Sequence, residues 1–108
     1  MFKSLINSNS KILVIGDLML DHYLWGNSDR ISPEAPVPIV KIVKESLMLG
    51  GAGNVIRNLK AFEFDCEVLS VVGVDQNSKT IINLLEKLDC NIKNIIIDKN
   101  RIGTKKSR

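Results

Sequence analysis

Apolar and polar residues along this chain change their spacing several times, and the changes divide it into elements. Lys11-Ile-Leu-Val-Ile-Gly16 is a short continuous apolar run closed by glycine, the pattern of a strand buried on both faces of a parallel sheet. Asp17-Leu-Met-Leu-Asp21 follows directly, and His22-Tyr-Leu-Trp-Gly-Asn27 is β-prone and ends in turn formers. Arg30 to Pro38 holds all three prolines, Pro33, Pro36 and Pro38. Their fixed φ and missing amide protons predict an extended, non-helical segment. Ile39 to Val43 alternates in part, as an exposed or edge strand does. After Gly50-Gly-Ala-Gly-Asn54, the residues Val55, Ile56, Leu59 and Phe62 fall on one face of a helix. Glu67-Val-Leu-Ser-Val-Val-Gly73 predicts a second buried strand. Asn77 or Ser78 fits the cap of a second helix, with Ile81, Ile82, Leu84, Leu85 and Leu88 facing inward. Asn91 to Asp98 predicts a third strand, and Ile102 to Arg108 is too short for periodicity to assign.

The order strand, excursion, helix, strand, helix, strand predicts an α/β fold with a mainly parallel sheet and right-handed crossovers. The excursion, residues 22–47, has β character and no helical spacing. It is expected to form a small β lid inserted after the first strand. No internal repeat or low-complexity segment is present.

Composition narrows this picture. At 108 residues, 44% hydrophobic and 25% charged, the chain has room for one small domain and the make-up of a folded one. Much of its net charge of +3 sits near the end, in Lys99, Arg101, Lys105, Lys106 and Arg108. One Tyr and one Trp supply no aromatic ladder among these cations. A solvated end or amphipathic strand is therefore the plainer reading, and no nucleic-acid partner is expected. Cys66 and Cys90 lie in apolar stretches without metal-ligand spacing, so no metal site is expected and a reduced, cytoplasmic setting fits them. Met1 to Ser10 lacks the features of a signal peptide, and no apolar run approaches membrane-spanning length, so no membrane partner is expected.

Gly50-Gly-Ala-Gly-Asn54 is the first candidate site. Glycines allow a ligand close to the backbone, the following helix turns free amides toward the same place, and the Asn54 amide matches a sugar hydroxyl. A plain tight turn with a helix cap explains the glycines about as well. A dinucleotide fingerprint fails, because Ile56 stands where the third glycine belongs, and no Gly-Lys-Ser/Thr supplies a P-loop. Asp17 and Asp21 follow the first strand, where open α/β sheets place ligands, and their carboxylates suit polyol hydroxyls. A solvated turn with a capping Asp is the alternative. His22, the single histidine, has no partner in view and is given no role, and Trp25 is expected to pack in the lid.

Taken together these motifs resemble the carbohydrate kinase family that includes ribokinase and the minor phosphofructokinases. The likeness rests on Ile15-Gly-Asp-Leu-Met-Leu-Asp21, on Arg30-Ile-Ser-Pro-Glu-Ala-Pro-Val-Pro38, and on Gly50-Gly-Ala-Gly-Asn54 followed by Val71-Val-Gly-Val-Asp75. It covers residues 11–108 and narrows to the heptose 7-phosphate kinases. Those enzymes phosphorylate D-glycero-β-D-manno-heptose 7-phosphate at O1, toward ADP-heptose for the lipopolysaccharide core, and are fused to an adenylyltransferase domain. The resemblance implies a ribokinase-like fold and sugar contacts from Asp21, with Asp17 nearby, and from Gly50, Gly51 and Asn54. It implies a proline-bearing lid that forms a homodimer interface, and Thr104 to Arg108 as the start of a returning lid strand. An anionic substrate needs cations, for which Arg30, Lys105 and Arg108 are candidates.

Two positions depart from the family pattern: Ile56 is large where a small residue is usual, and Glu63 stands where Gly or Ser ends the helix. The family's Gly-Ala-Gly-Asp turn, which supplies the catalytic base and anion hole, and its Asn-x-x-Glu segment do not occur in these 108 residues. ATP and Mg serve the intact family enzyme, and neither is expected to bind this chain well. No catalytic, cofactor-binding or metal-ligating residue is assigned here. The expectation is a truncated or excised piece of a sugar kinase, inactive in phosphoryl transfer by itself. A non-catalytic lid-mediated dimer or a sugar-binding module is the alternative, and a dinucleotide-binding domain ranks below it.

Overall fold

The structure is a computed structural model that describes residues 11–108, with the side chain of Asp29 left aside. The expectation for Met1 to Ser10 lies outside the described residues. The elements are β1 (Ile12–Ile15), β2 (Leu18–Ile31), β3 (Pro38–Gly51), α1 (Ala52–Ala61), β4 (Cys66–Val72), α2 (Gln76–Lys87), β5 (Ile95–Ile97) and β6 (Thr104–Ser107). They form two sheets. One is parallel, in the order β1-β4-β5; the other has the order β3-β2-β6, with β2 antiparallel to β3 and parallel to β6.

The parallel sheet follows from the apolar runs. In β4 every second residue, from Cys66 to Val72, is buried, and these pack under the two helices. One core joins both sheets. Leu18, Leu20 and Leu49 at the base of the second sheet meet Ile56 of α1, Ile81 and Leu85 of α2, and Val68 and Val72 of β4. Burying such side chains supplies about 1.5–3 kcal/mol each. The face of α1 is narrower than its spacing predicted. Ile56 is fully buried, but Val55 is half exposed and Phe62 stands at the C-cap instead of on the face. The small residue that close packing demands is Gly53, where a Cβ would stand 2.9 Å from the Leu49 Cβ.

Four further expectations are corrected. β1 is not buried on both faces: Leu13 and Ile15 are 50% and 70% exposed, and Ile96 on the same side is also open. Helix α2 is capped by Asp75, whose carboxylate accepts from the Ser78 amide, and not by Asn77 or Ser78. The third strand shrinks to Ile95–Ile97, because Asn91 Oδ1 accepts from the Lys93 amide and the Ile95 amide donates to the Ile92 carbonyl, making a turn of the segment before it. The strands of the excursion run from Leu18 to Gly51, well beyond residues 22–47. Each has fourteen residues, and bulges interrupt their pairing beside Trp25 and Asn27. This long hairpin raises the radius of gyration to 17.9 Å, against about 13 Å for a compact chain of this length.

Candidate functional site

The site is built where β1 leaves the parallel sheet. Gly16 and Asp17 turn the chain into β2, and the Asp17 carbonyl accepts the first helical amide, that of Ala52, at 2.9 Å. This closure requires glycine at position 51, whose φ is +59° and where a Cβ would meet the Asp17 carbonyl oxygen at 2.5 Å. The hairpin register then sets Met19 opposite Gly50 and Asp21 opposite Met48. Asp21 lies diagonally over Gly50, where a Cβ would stand 2.7 Å from Asp21 Oδ2. The glycine pair is thus the end of a strand rather than a free turn, and Asp21 sits within β2. Asn54 falls in the first turn of α1, and its Oδ1 accepts from Arg57 Nη2 at 2.7 Å.

Each carboxylate has a cation beside it. Arg108 Nη2 is 3.8 Å from Asp21 Oδ1, and Arg101 Nη2 is 3.4 Å from Asp17 Oδ1. β6 makes the first of these possible by pairing with β2, with Lys106 beside Asp21 and Lys105 beside Leu20. Alternation along a strand puts Lys105 on the opposite face from Asp21. Arg30 lies nine residues further along β2 than Asp21, about 30 Å away at ~3.3 Å per residue. The structure thus makes two contact groups along the start of the hairpin, Asp17 with Gly51 and Ala52, and Asp21 with Gly50 and Arg108, with Asn54 at the head of the adjoining helix. Arg30 and Lys105 belong to neither group within one chain.

Two features were not legible from the sequence. His22 joins three strands: its Nδ1 is 3.0 Å from Ser107 Oγ and its Nε2 is 3.5 Å from Glu45 Oε2. Trp25 is less packed than expected, 45% exposed, stacked on Tyr23 and covered by the Lys44 ammonium. The second feature is a clamp around Asp75. Its Oδ1 accepts the Ser78 hydroxyl at 2.5 Å, and both its oxygens accept the Gly103 amide, at 3.1 and 3.0 Å. The wholly buried Ser78 hydroxyl in turn accepts the Gly73 amide at 2.9 Å. The Ser78 hydroxyl holds the Asp75 carboxyl below the ordinary carboxylate range, helped by the amides and opposed by desolvation. Burial pushes the thiols of Cys66 and Cys90, both free, above their usual range.

A cleft of about 280 Å³ opens at the carboxyl end of the parallel strands, lined by Ile15, Gly16, Asp17, Leu69, Ser70, Val71 and Ile96. Of the candidate residues only Asp17 reaches it. The cleft is an apolar trough on the bare sheet face, and Asp21, Gly50 and Asn54 are not among its lining residues. Among the described residues no three His, Cys, Asp or Glu side chains converge as a metal site would need, and no helix is long and apolar enough to cross a membrane.

Residues 9–106 match the pfkB family carbohydrate kinase model. The chain belongs to this family. It is 53% identical over 106 residues to the bifunctional protein HldE of Sulfurimonas denitrificans, covering 98% of this chain and 22% of that protein. The chain thus spans about a fifth of the length of that relative. Among solved structures, the fructokinase with bound ATP from Xylella fastidiosa superposes with a TM-score of 0.69 at 12% identity, over 90% of this chain and 28% of its own. The nucleoside kinase of Methanocaldococcus jannaschii, an archaeal member of the ribokinase family, gives a TM-score of 0.66 at 26% identity, over 90% and 31%. The ribokinase-like α/β fold is therefore shown, as part of the larger fold those kinases have. Ile56, fully buried in α1, occupies the place a dinucleotide fingerprint would give to glycine. The departure at Glu63 also finds a physical reading: its φ is +66°, a conformation suited to glycine.

Proposed function

We propose that this chain is the sugar-binding part of a kinase that phosphorylates a heptose 7-phosphate at O1, and that phosphoryl transfer requires residues beyond it. The observation that carries the reading is the placement of Asp21 over Gly50 next to the Asp17–Gly51 closure. A carboxylate backed by a residue without a side chain can accept hydroxyl protons from a sugar that lies against the strand. Asn54 at the head of α1 adds a polar contact where helical amides point outward. The identity to HldE supports the heptose substrate.

In this reading the chain's residues bind and orient. Asp21 and Asn54 hold hydroxyls, the glycines allow close approach, and the hairpin roofs the sugar against water. Holding an acceptor oxygen in line is a large part of phosphoryl-transfer catalysis. ATP supplies the phosphoryl group in the family, but the described residues do not fit Mg–ATP. They offer neither a converging carboxylate set nor a glycine-lysine phosphate loop, so no step is assigned to it here. Calorimetry with heptose 7-phosphate tests the reading. Heat of binding is expected from the unaltered chain, with Asn54→Ala weakened about tenfold. No heat from the unaltered chain ends the proposal.

A second reading, dimerisation through the hairpin, is favoured by its exposed apolar residues Ile31, Val37, Val40, Ile42 and Val43. Such residues gathered on one projection mark an interaction surface, and a two-fold partner is the simplest occupant. A clean monomer in sedimentation at micromolar concentration removes it.

A further inference from the structure

The two cysteines stand 24 residues apart in sequence and side by side in the fold. Two separate pieces of geometry bring them there. Cys66 opens β4 with its side chain on the buried face, because burial alternates along that strand from Cys66 onward. Cys90 follows α2, which ends in a left-handed turn. Asp89 takes a φ of +56°, its amide donates to the Glu86 carbonyl at 3.0 Å, and the Cys90 amide donates to the Leu85 carbonyl at 3.2 Å. This double closure is the Schellman stop of a helix, and it folds the residue after the turn back onto the last helical turns. Cys90 is accordingly 5% exposed and part of the core, and Cys66 is 1% exposed. One residue further on, Asn91 bridges Glu67 in parallel register, so Cys66 and Cys90 occupy the same level of two neighbouring segments. Neighbouring strands lie about 4.8 Å apart, inside the window of about 4.4–6.8 Å between α-carbons that a disulfide needs. The Cys90 thiol reaches across the gap and donates to the Cys66 carbonyl at 3.9 Å.

We infer that Cys66 and Cys90 form a redox-sensitive staple, open in this structure, that closes into a disulfide when a small-molecule disulfide oxidises it. Both thiols are free. The pair loses two electrons and the reagent gains them. Cys90, on the loop side, attacks one sulfur of the reagent and expels the other as a thiolate. Cys66 then attacks the Cys90 sulfur of the mixed disulfide and expels the second thiolate, and the two cysteine protons end on the two thiols released. The bond encloses β4, the clamp around Asp75 and α2 in one covalent loop. Cross-linking constrains the unfolded chain, so the oxidised form is the more stable one. Burial sets the rate. The Cys66 thiol donates to the Phe64 carbonyl at 3.7 Å, and desolvation keeps both thiols protonated at neutral pH. Exchange therefore waits for the loop after α2 to open. The staple stands apart from the sugar reading, and neither depends on the other.

The test holds the native 108-residue chain with oxidised glutathione at mildly alkaline pH, then unfolds it, alkylates it and measures its mass and its urea midpoint. The expected product is a monomer lighter by two hydrogens, with no alkylated cysteine and a raised midpoint that dithiothreitol returns to its starting value. Cys66→Ala and Cys90→Ala should each take up at most one glutathione and show no such rise. If either variant fails to fold, the result on the unaltered chain decides alone. Two thiols still open to alkylation, bonds only to glutathione or between chains, or a closed bond that leaves the midpoint unchanged or lowers it would each overturn the inference and show that the pair serves packing only.

Discussion

Replacing Gly50 by alanine separates binding from folding. A Cβ at this position would lie 2.7, 2.8 and 2.9 Å from Asp21 Oδ2, Cγ and Oδ1. Favourable contact begins near 3.5 Å, so the carboxylate must retreat by about 0.8 Å or rotate off its rotamer, at a cost of about 0.5–1.5 kcal/mol. The backbone itself is permissive, because Gly51 is the described glycine with positive φ, and alanine in a strand regains about 0.5–1 kcal/mol relative to glycine. The two effects nearly cancel, and the urea midpoint of Gly50→Ala should match that of the unaltered chain. Binding should not survive so well. Losing a charge-assisted bond from Asp21 to a sugar hydroxyl is worth about 1.5–3 kcal/mol, roughly a 10- to 150-fold loss of affinity for heptose 7-phosphate. Gly51→Ala is the contrast. It combines a left-handed φ with a clash against backbone, the Asp17 carbonyl at 2.5 Å, and should lower the midpoint itself. Unchanged affinity in a folded Gly50→Ala protein would refute the placement of the sugar over Asp21.

Four further outcomes are expected. Glu63→Gly relieves a left-handed residue at φ +66° and should stabilise the chain by about 0.5–1 kcal/mol in urea unfolding. Because the folded Asp75 carboxyl titrates below its unfolded value, its contribution is full above the ordinary carboxylate range and is lost as pH falls through the folded value. Acid unfolding of Asp75→Asn should lack that part of the pH dependence. The raised thiols of Cys66 and Cys90 should resist iodoacetamide at neutral pH in the native chain and react once urea unfolds it. Ile15→Ser, on the bare face of the parallel sheet where Ile15 is 70% exposed, should reduce self-association in sedimentation without lowering the unfolding midpoint.

Local pattern carried much of the fold. β1 and β4 form at their apolar runs, and Ile81 and Leu85 of α2 face inward as helical spacing places them, but burial on the strands alternates with the pleat and leaves one face of β1 open. Val55 and Phe62 misled because helical spacing marks a stripe without saying how wide a neighbour covers it. The cap of α2 is hard to read from sequence because Asp75 accepts from both the amide and the hydroxyl of Ser78, so the true cap and the apparent one are hydrogen-bond partners. Asp21, Gly50 and Gly51 could be named from chemistry, yet their contact depends on hairpin register, which no single stretch encodes. Arg101 looked like one more cation in a basic end. Its partner Asp17 lies 84 residues earlier, and only the crossing of the loop after β5 over the end of β1 makes them neighbours. His22 lacked a visible partner for the same reason, since Ser107 and Glu45 reach it from two other strands.

The most direct measurement is an amide chemical-shift map of the isotope-labelled chain titrated with heptose 7-phosphate. The account predicts that the signals of Asp17, Asp21, Gly50, Gly51 and Asn54 move together with one saturation curve. Shifts confined to the hairpin beyond Trp25, or movement of Asn54 without Asp21, would contradict it.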